Sequence, residues 1–336
     1  MPVPATPDQV VVEVPVRVCD VGGWTDTWFA GHGRVCSLAV GPGVTVVATA
    51  VAGDGQVTLA VPDLGGRFAA ASAPPEHRLL AEAVAEGGAP AGRDVEVSIT
   101  SAVPPAASLG TSASVCVGVI AALDVLGRGA IRPPGALAAA AHRVEAVRVG
   151  RQSGVQDQLA AAHGGANLLE IDYPDATVER VPLTTGVHAA LDERLLHVAY
   201  GGRHDSSAVH EQVIAELEAE GEGAARLERL RELAGRAHRA LVAGDLSSYG
   251  EALRAATAAQ AELHPALVSG DARTLIELAA SEGAQGWKVN GAGGSGGSIS
   301  ILCPTAEARR RIGAEAASLG HVVLDLRIAR AGARRR

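Results

Sequence analysis

Four valine-rich runs crowd into the first hundred residues: VVVEVPVRV (10–18), VTVVATAVAG (44–53), QVTLAV (56–61) and DVEVSIT (94–100). Branched side chains suit a pleated, half-buried surface better than a helix, so these runs predict strands. From 208 to 284 the pattern changes to alanine, leucine, glutamate and arginine at helical spacing, with breaks near 221–223, 244 and 270. Between the two zones, helices are expected over 111–126, over 136–149, and in a segment that includes 156–162. DERLLHVAY (192–200) reads as a strand. The C-terminal part reads as strand, glycine turn and strand (288–303), helix (305–319) and strand (321–328). Strands first, then helices, then a short βαβ-like end is an α+β pattern in two parts. Their boundary is expected in PLTTGVHA, near 185–190, and no internal repeat is visible.

Composition narrows the class. At 336 residues the length prior favours two domains. Aromatic residues make up only 2% of a chain that is 47% hydrophobic, so valine, leucine and alanine must fill the core. A net charge of −8 argues against a nucleic-acid partner. Arginines cluster at 309–311 and 334–336, and the second group is expected to be a frayed tail. The most apolar run, 115–123, is about half of what a membrane span needs, and the N-terminus lacks the features of a signal peptide. Cys19, Cys36, Cys116 and Cys303 show no C-x-x-C spacing, which suggests neither a zinc site nor a disulfide framework. A soluble, cytoplasmic protein with reduced, buried cysteines is expected. Lys288 is the only lysine. It lies between Trp287 and Val289, which excludes a Walker A loop; a lysine Schiff base would have to use Lys288 itself.

Three glycine-and-polar stretches carry the chemistry. In PPAASLGTSASVCVG (104–118) a small, hydroxyl-rich turn runs into an apolar helix. The first N–H groups of a helix lack partners and carry partial positive charge, which makes them a seat for phosphate. The bland alternative is that Thr111 or Ser112 caps the helix. In VRVCDVGGWTDTWF (16–29), Arg17, Asp20, Thr25 and Asp26 gather around Gly22 and Gly23. Asp26 suits a double acceptor for sugar hydroxyls, or else closes an Asx-type turn. In GWKVNGAGGSGGSISIL (286–302) a strand follows the glycines, so a dinucleotide fingerprint is excluded and a tight hairpin or ligand-side turn is expected. Between them, Glu145 precedes a break at Gly150, and Asp157 follows Ser153 and Gly154 at a helix start. Asp157 there is a candidate base, or an N-terminal residue answering the helix dipole.

In this order and spacing, PVRVCDVGGWTD, PPAASLGTSAS and VNGAGGSGG resemble the three motifs of the GHMP kinases, the superfamily of galactokinase, homoserine kinase, mevalonate kinase and phosphomevalonate kinase. The resemblance covers residues 12–328. It implies a two-domain α+β fold: a mixed α/β N-terminal domain (1–187) of the ribosomal protein S5 domain 2-like type, and a ferredoxin-like C-terminal domain (188–336) with added helices. It also implies ATP and Mg²⁺ between the domains, with the second motif as phosphate loop.

The same resemblance assigns roles. Ala107, Ser108, Leu109, Gly110, Thr111, Ser112 and Ala113 would wrap the triphosphate, aided by Gly291, Gly293 and Gly294. Ser112 and Glu145 would hold Mg²⁺. Asp157 matches the catalytic aspartate, and Arg17 an arginine near the acceptor hydroxyl. Gly22, Gly23, Thr25, Asp26, Gly154, Gln156 and Arg203 would line the substrate. GAGGSGG departs from the commoner GAGGGG by one extra residue. GGWTD points to the sugar-kinase branch. Heptose 7-phosphate kinases match in length and in GVQDQLAAAHGG, and fucokinases in the tryptophan and threonine of GGWTDT. A heptose 7-phosphate is expected first, with Arg151, Arg203 and His204 as phosphate anchors. L-fucose or another hexose, a non-catalytic sugar sensor, a small non-sugar alcohol and a purely structural role for 208–284 are the alternatives. A small-molecule partner is expected, with no nucleic acid and no membrane; a homodimer stays open.

Overall fold

The computed structural model describes residues 8–62, 66–201 and 207–336. The first valine run lies in β1 (Gln9–Val21), antiparallel to the long β2 (His32–Ala52), with Val12 opposite Val46 and Arg17 opposite Ala39. β2 starts well before the strand expected at 44, because Gly41, Pro42 and Gly43 read as a break. They fall where the β1–β2 register shifts between Val14 and Val16, and a strand tolerates proline at such an irregularity. After β3 (Val57–Val61) and β4 (Gly66–Ala69) come α1 (Arg78–Gly87) and β5 (Arg93–Ser101). β5 pairs with the second half of β2, and β3 runs parallel to β5.

α2 (Thr111–Arg128) follows, then α3 (Pro134–His142), a π-helical segment Arg143–Val149, α4 (Gln156–His163), β6 (Ala166–Asp172) and β7 (Asp175–Arg180). β6 pairs with the first half of β2. α2 is long and apolar enough by length and composition to cross a membrane, so the expectation from 115–123 understated it. Here it is a core helix, and Cys116, Val117, Val119 and Ile120 bury against the valines of β1, β2 and β5.

The second half opens with α5 (Thr185–Arg194) and β8 (Leu195–Tyr200). α6 (Ser207–Glu220), α7 (Ala225–Ala243), α8 (Leu246–Leu263) and α9 (Gly270–Ser281) break where the glycines were read. β9 (Gly286–Val289), β10 (Gly297–Leu302), α10 (Ala306–Ser318) and β11 (Val322–Leu324) complete a sheet of order β11-β8-β10-β9. Strand, helices, two strands, helix and strand in that order is the ferredoxin-like arrangement. Two last strands, β12 (Arg327–Ile328) and β13 (Arg334–Arg335), join β2 and β1.

Three further expectations need correction. The helix expected at 136–149 divides at His142, where the π-helical turn begins. The strand expected from 192 starts at Leu195, because TGVHAALDER is helical behind the Thr184 cap. The tail at 334–336 is not frayed, since β13 pairs with β1 and Arg334 Nη2 reaches the Glu13 carboxylate at 2.8 Å. Residue 187 falls inside α5, and β12 and β13 return to the first sheet, so that sheet draws on both halves of the chain. One apolar cluster also spans the halves, joining Val18, Cys19 and Leu38 to Leu227, Tyr249 and Leu253. The four cysteines are free and buried, as expected.

Candidate active site

The floor of the site is where β1 ends. Arg17 is 5% exposed, and its Nε donates to Asp157 Oδ1 at 2.8 Å while Nη1 donates to the Ser108 carbonyl at 2.5 Å. Burial works against its charge, yet Asp157, Asp20 and Asp26 together hold the guanidinium protonated above its ordinary range. Asp157 sits in the first turn of α4 with its carboxylate partly open to the cavity. Asp26 is buried across from it, accepting from the Gln156 backbone N–H at 3.1 Å and side-chain amide at 3.2 Å. It therefore closes no Asx turn of its own. The turn at 20–25 is closed by backbone bonds from Gly23 and Thr25.

Burial, and then the Asp157 charge, push the Asp26 carboxyl up to about 6. The folded chain thus binds this proton more tightly than the unfolded chain, and ionising Asp26 costs stability. That cost is absent below 3.8, grows as pH rises, and is complete above about 6. A ligand that donates hydrogen bonds to Asp26 is therefore expected to bind less tightly as pH falls through about 6. Affinity titrations across that range check this, and Asp26→Asn should lack the inflection.

The second motif forms a concave turn in front of α2. Ala106, Ser108 and Gly110 have φ of 62°, 55° and 74°, alternating with residues outside the left-handed region. Such alternation builds a concave nest of N–H groups. Gly110 precedes α2 with no side-chain cap, so neither Thr111 nor Ser112 acts as one. The bland reading fails at this point. Ala107, Leu109 and Ala113 bury their side chains, and Thr111 is half-buried. Of this loop Ser112 lines the cavity, and its hydroxyl donates to Glu145 Oε1. Glu145 comes from the π-helical turn, a feature frequent at functional sites. Its other oxygen takes the Gln158 amide, and burial raises its carboxyl, with Asp157 adding to the rise.

No group of three or more histidine, cysteine, aspartate or glutamate side chains poised for a metal occurs among the described residues. Ser112 and Glu145 nevertheless fit Mg²⁺, a hard ion that uses one or two protein oxygens and takes the rest from phosphate and water. A cation there would relieve the buried Glu145 charge.

The third motif divides its work. Gly291 lines the cavity, and a Cβ on it would come within 2.8 Å of the Ser108 carbonyl, so only glycine lets the two loops touch. Gly293 and Gly294 do not line the cavity. Gly294 N–H donates to the Leu267 carbonyl at 3.0 Å, and a Cβ on Gly293 would meet that same oxygen at 2.1 Å. The longer loop thus spends its glycines on the turn at 265–267. The roles expected of Gly22, Gly23 and Thr25 also shift. A Cβ on Gly22 would lie 2.0 Å from the Arg34 carbonyl, and Gly23 packs against Asp20. The fully buried Thr25 hydroxyl donates to the Gly22 carbonyl at 2.7 Å. None of the three lines the cavity; they hold the turn that aims Asp26. Gly154 and Gln156 do line it. Arg203 and His204 lie outside the described residues. Arg151 lines the cavity beside Ser112, with Nη1 3.4 Å from its hydroxyl.

The cavity these groups share holds about 400 Å³. Its remaining wall was missed by sequence reasoning: Trp24, Trp28 and Phe29 from the first motif, and His210, Glu211 and Ile214 from α6. Trp24 and His210 meet edge to face at 5.9 Å. Among the described residues Trp24 Nε1, Gln156 Oε1 and His210 Nε2 are buried polar atoms without a hydrogen-bond partner, and all three residues line this one cavity.

Residues 77–165 match the family model for the GHMP kinases N terminal domain. No curated protein matches the chain by sequence. Among solved structures, it is similar to a D-glycero-D-manno-heptose 1-phosphate kinase from Bacteriodes thetaiotaomicron (TM-score 0.72, 16% identity, 97% of this chain and 98% of that one). It is also similar to Lactococcus lactis galactokinase complexed with galactose (TM-score 0.72, 20% identity, 98% and 95%) and to Methanococcus jannaschii mevalonate kinase (TM-score 0.73, 16% identity, 97% and 99%). The fold is that of the GHMP kinases over almost the whole chain.

Proposed function

We propose that this chain is an ATP-dependent sugar kinase that phosphorylates the anomeric hydroxyl of its acceptor, with D-glycero-D-manno-heptose 7-phosphate first and L-fucose or another hexose as alternatives. The observation that carries this reading is one cavity that unites Arg17–Asp157 with Ser112–Glu145. Phosphoryl transfer depends on positioning and charge neutralisation, and these four residues offer both.

Asp157 accepts the proton of the acceptor hydroxyl as its oxygen attacks the γ-phosphorus and the γ-P–O bond breaks to release ADP, and Arg17 orients that carboxylate. The uncapped start of α2 and the nest before it would offer their N–H groups to the phosphates. Ser112 and Glu145 would hold the metal, which when bound with the triphosphate supplies positive charge to the phosphates. Asp26 with Gln156, Trp24 and His210 would take the sugar. Three unpartnered atoms that include a pure donor and a pure acceptor suit a polyhydroxyl ligand, whose groups both donate and accept. The chain is as similar to mevalonate and homoserine kinases as to the heptose 1-phosphate kinase and galactokinase, so the choice of a sugar rests on Asp26 and the polar atoms around it.

The test is ADP release with Mg-ATP across heptose 7-phosphates, L-fucose, galactose, mevalonate and homoserine. Turnover of one sugar supports the reading; bound nucleotide with no turnover of any would favour the sensor. Ser112→Ala and Glu145→Ala are each expected to raise the Mg²⁺ needed for half-activity by about tenfold or more. An unchanged Mg²⁺ titration would move the metal to other residues.

A further inference from the structure

The only lysine of the chain is buried beneath the site and takes no part in the chemistry above. Lys288 is 3% exposed on β9; its Nζ donates to Gln260 Oε1 at 2.8 Å and to the Val289 carbonyl, and lies 3.7 Å from Asp20 Oδ1. Its two side-chain neighbours hold one and the same residue, Gly291, through the peptide groups on either side of it. Both Asp20 oxygens accept from the Gly291 N–H, at 3.1 and 3.0 Å, and Gln260 Nε2 donates to the Gly291 carbonyl at 3.0 Å. Asp20 is 1% and Gln260 2% exposed, so water competes little for these bonds. Gly291 in turn rests on Ser108 of the phosphate loop and on Arg17.

We propose, resting on the kinase reading above, that Lys288 is a positioning residue: it holds Asp20 and Gln260 so that they pin Gly291, at its N–H and its carbonyl, against the phosphate loop and Arg17. A charged pair of this kind is costly to bury and often no better for stability than apolar side chains of the same size. Its retention fits a role in geometry. Removing the ammonium alone leaves Asp20 to draw on the neighbouring Arg17 for its counter-charge, and that pull moves Arg17 away from Asp157. Removing both charges leaves no such pull.

The experiment compares Lys288→Met, Asp20→Asn and the double variant with wild type. In free Lys288→Met, amide exchange over 289–298 is expected to speed up by about tenfold or more, a local opening that needs no nucleotide to be seen. Its KM for Mg-ATP is expected to rise by roughly tenfold, with the KM for the acceptor within about twofold, and the double variant should recover part of that loss. Unchanged exchange and an unchanged nucleotide KM, alongside a lower Tm, would overturn the proposal and leave Lys288 as structural support only. Should Lys288→Met not fold, the double variant set against Asp20→Asn carries the same comparison. A wild type that binds no Mg-ATP would sink the kinase reading, while exchange in the free protein still judges the pinning.

Discussion

Asp157→Asn is expected to lose turnover by about 100- to 10,000-fold, the range that a positioned general base contributes, while Mg-ATP still binds. The asparagine keeps the size of the side chain and an oxygen for Arg17 Nε, which now donates at 2.8 Å. What it loses is the capacity to take a proton. Asp157 makes no bond to the phosphate loop beyond its van der Waals approach to Gly110, so the nucleotide seat should survive. ADP release and nucleotide titration on the same preparation separate the two effects. Near-normal turnover would remove Asp157 from the chemistry. Loss of both turnover and nucleotide binding would mean that the carboxylate supports the phosphate loop instead.

The legible parts of this protein are those where local chemistry dictates structure. Valine alternation yielded β1, β3 and β5, and the glycine breaks divided α6 to α9, because each depends on side chains within a few residues. The second motif was legible as a small, hydroxyl-rich turn running into an apolar helix, whose start carries no side-chain cap. The π-helical turn was not. RVEAVRV has ordinary helical propensities, and none of its residues marks the wider turn. Nor could sequence show which helix of 208–284 faces the cavity, since an alanine-rich helix carries the same pattern on any sheet. His210 and Ile214 were hidden for that reason. Trp24 and Trp28 had a signal that went unused: a chain with three tryptophans places two of them within five residues, beside Asp26. Glycine was the most misleading residue. Gly22 and Gly293 resemble ligand-side positions, yet both are required by backbone from elsewhere in the fold, Arg34 and Leu267, which no local pattern reveals.

Arg17→Lys is expected to be nearly as damaging as loss of the aspartate, although the charge is kept. Arginine serves two acceptors at once, Asp157 through Nε and the Ser108 carbonyl through Nη1. A lysine on a single point of charge can hold one of them, and such a replacement is not conservative at a forked site. Losing one preorganised donor of this kind lowers kcat by roughly 100- to 1,000-fold. The pH profile separates this from a folding defect. Arg17 draws the Asp26 carboxyl downward against burial and the Asp157 charge, which together push it up. Arg17→Met removes that cation, so Asp26 should hold its proton to higher pH, and the acid limb of kcat/KM should move upward from about 6. Arg17→Lys should move it less, in proportion to how far the ammonium retreats from the carboxylates. A lower Tm with an unmoved acid limb would mean that Arg17 only braces the loop. A limb that moves in the order Met beyond Lys beyond wild type would mean that the same guanidinium sets the ionisation of the acceptor site and the orientation of its base.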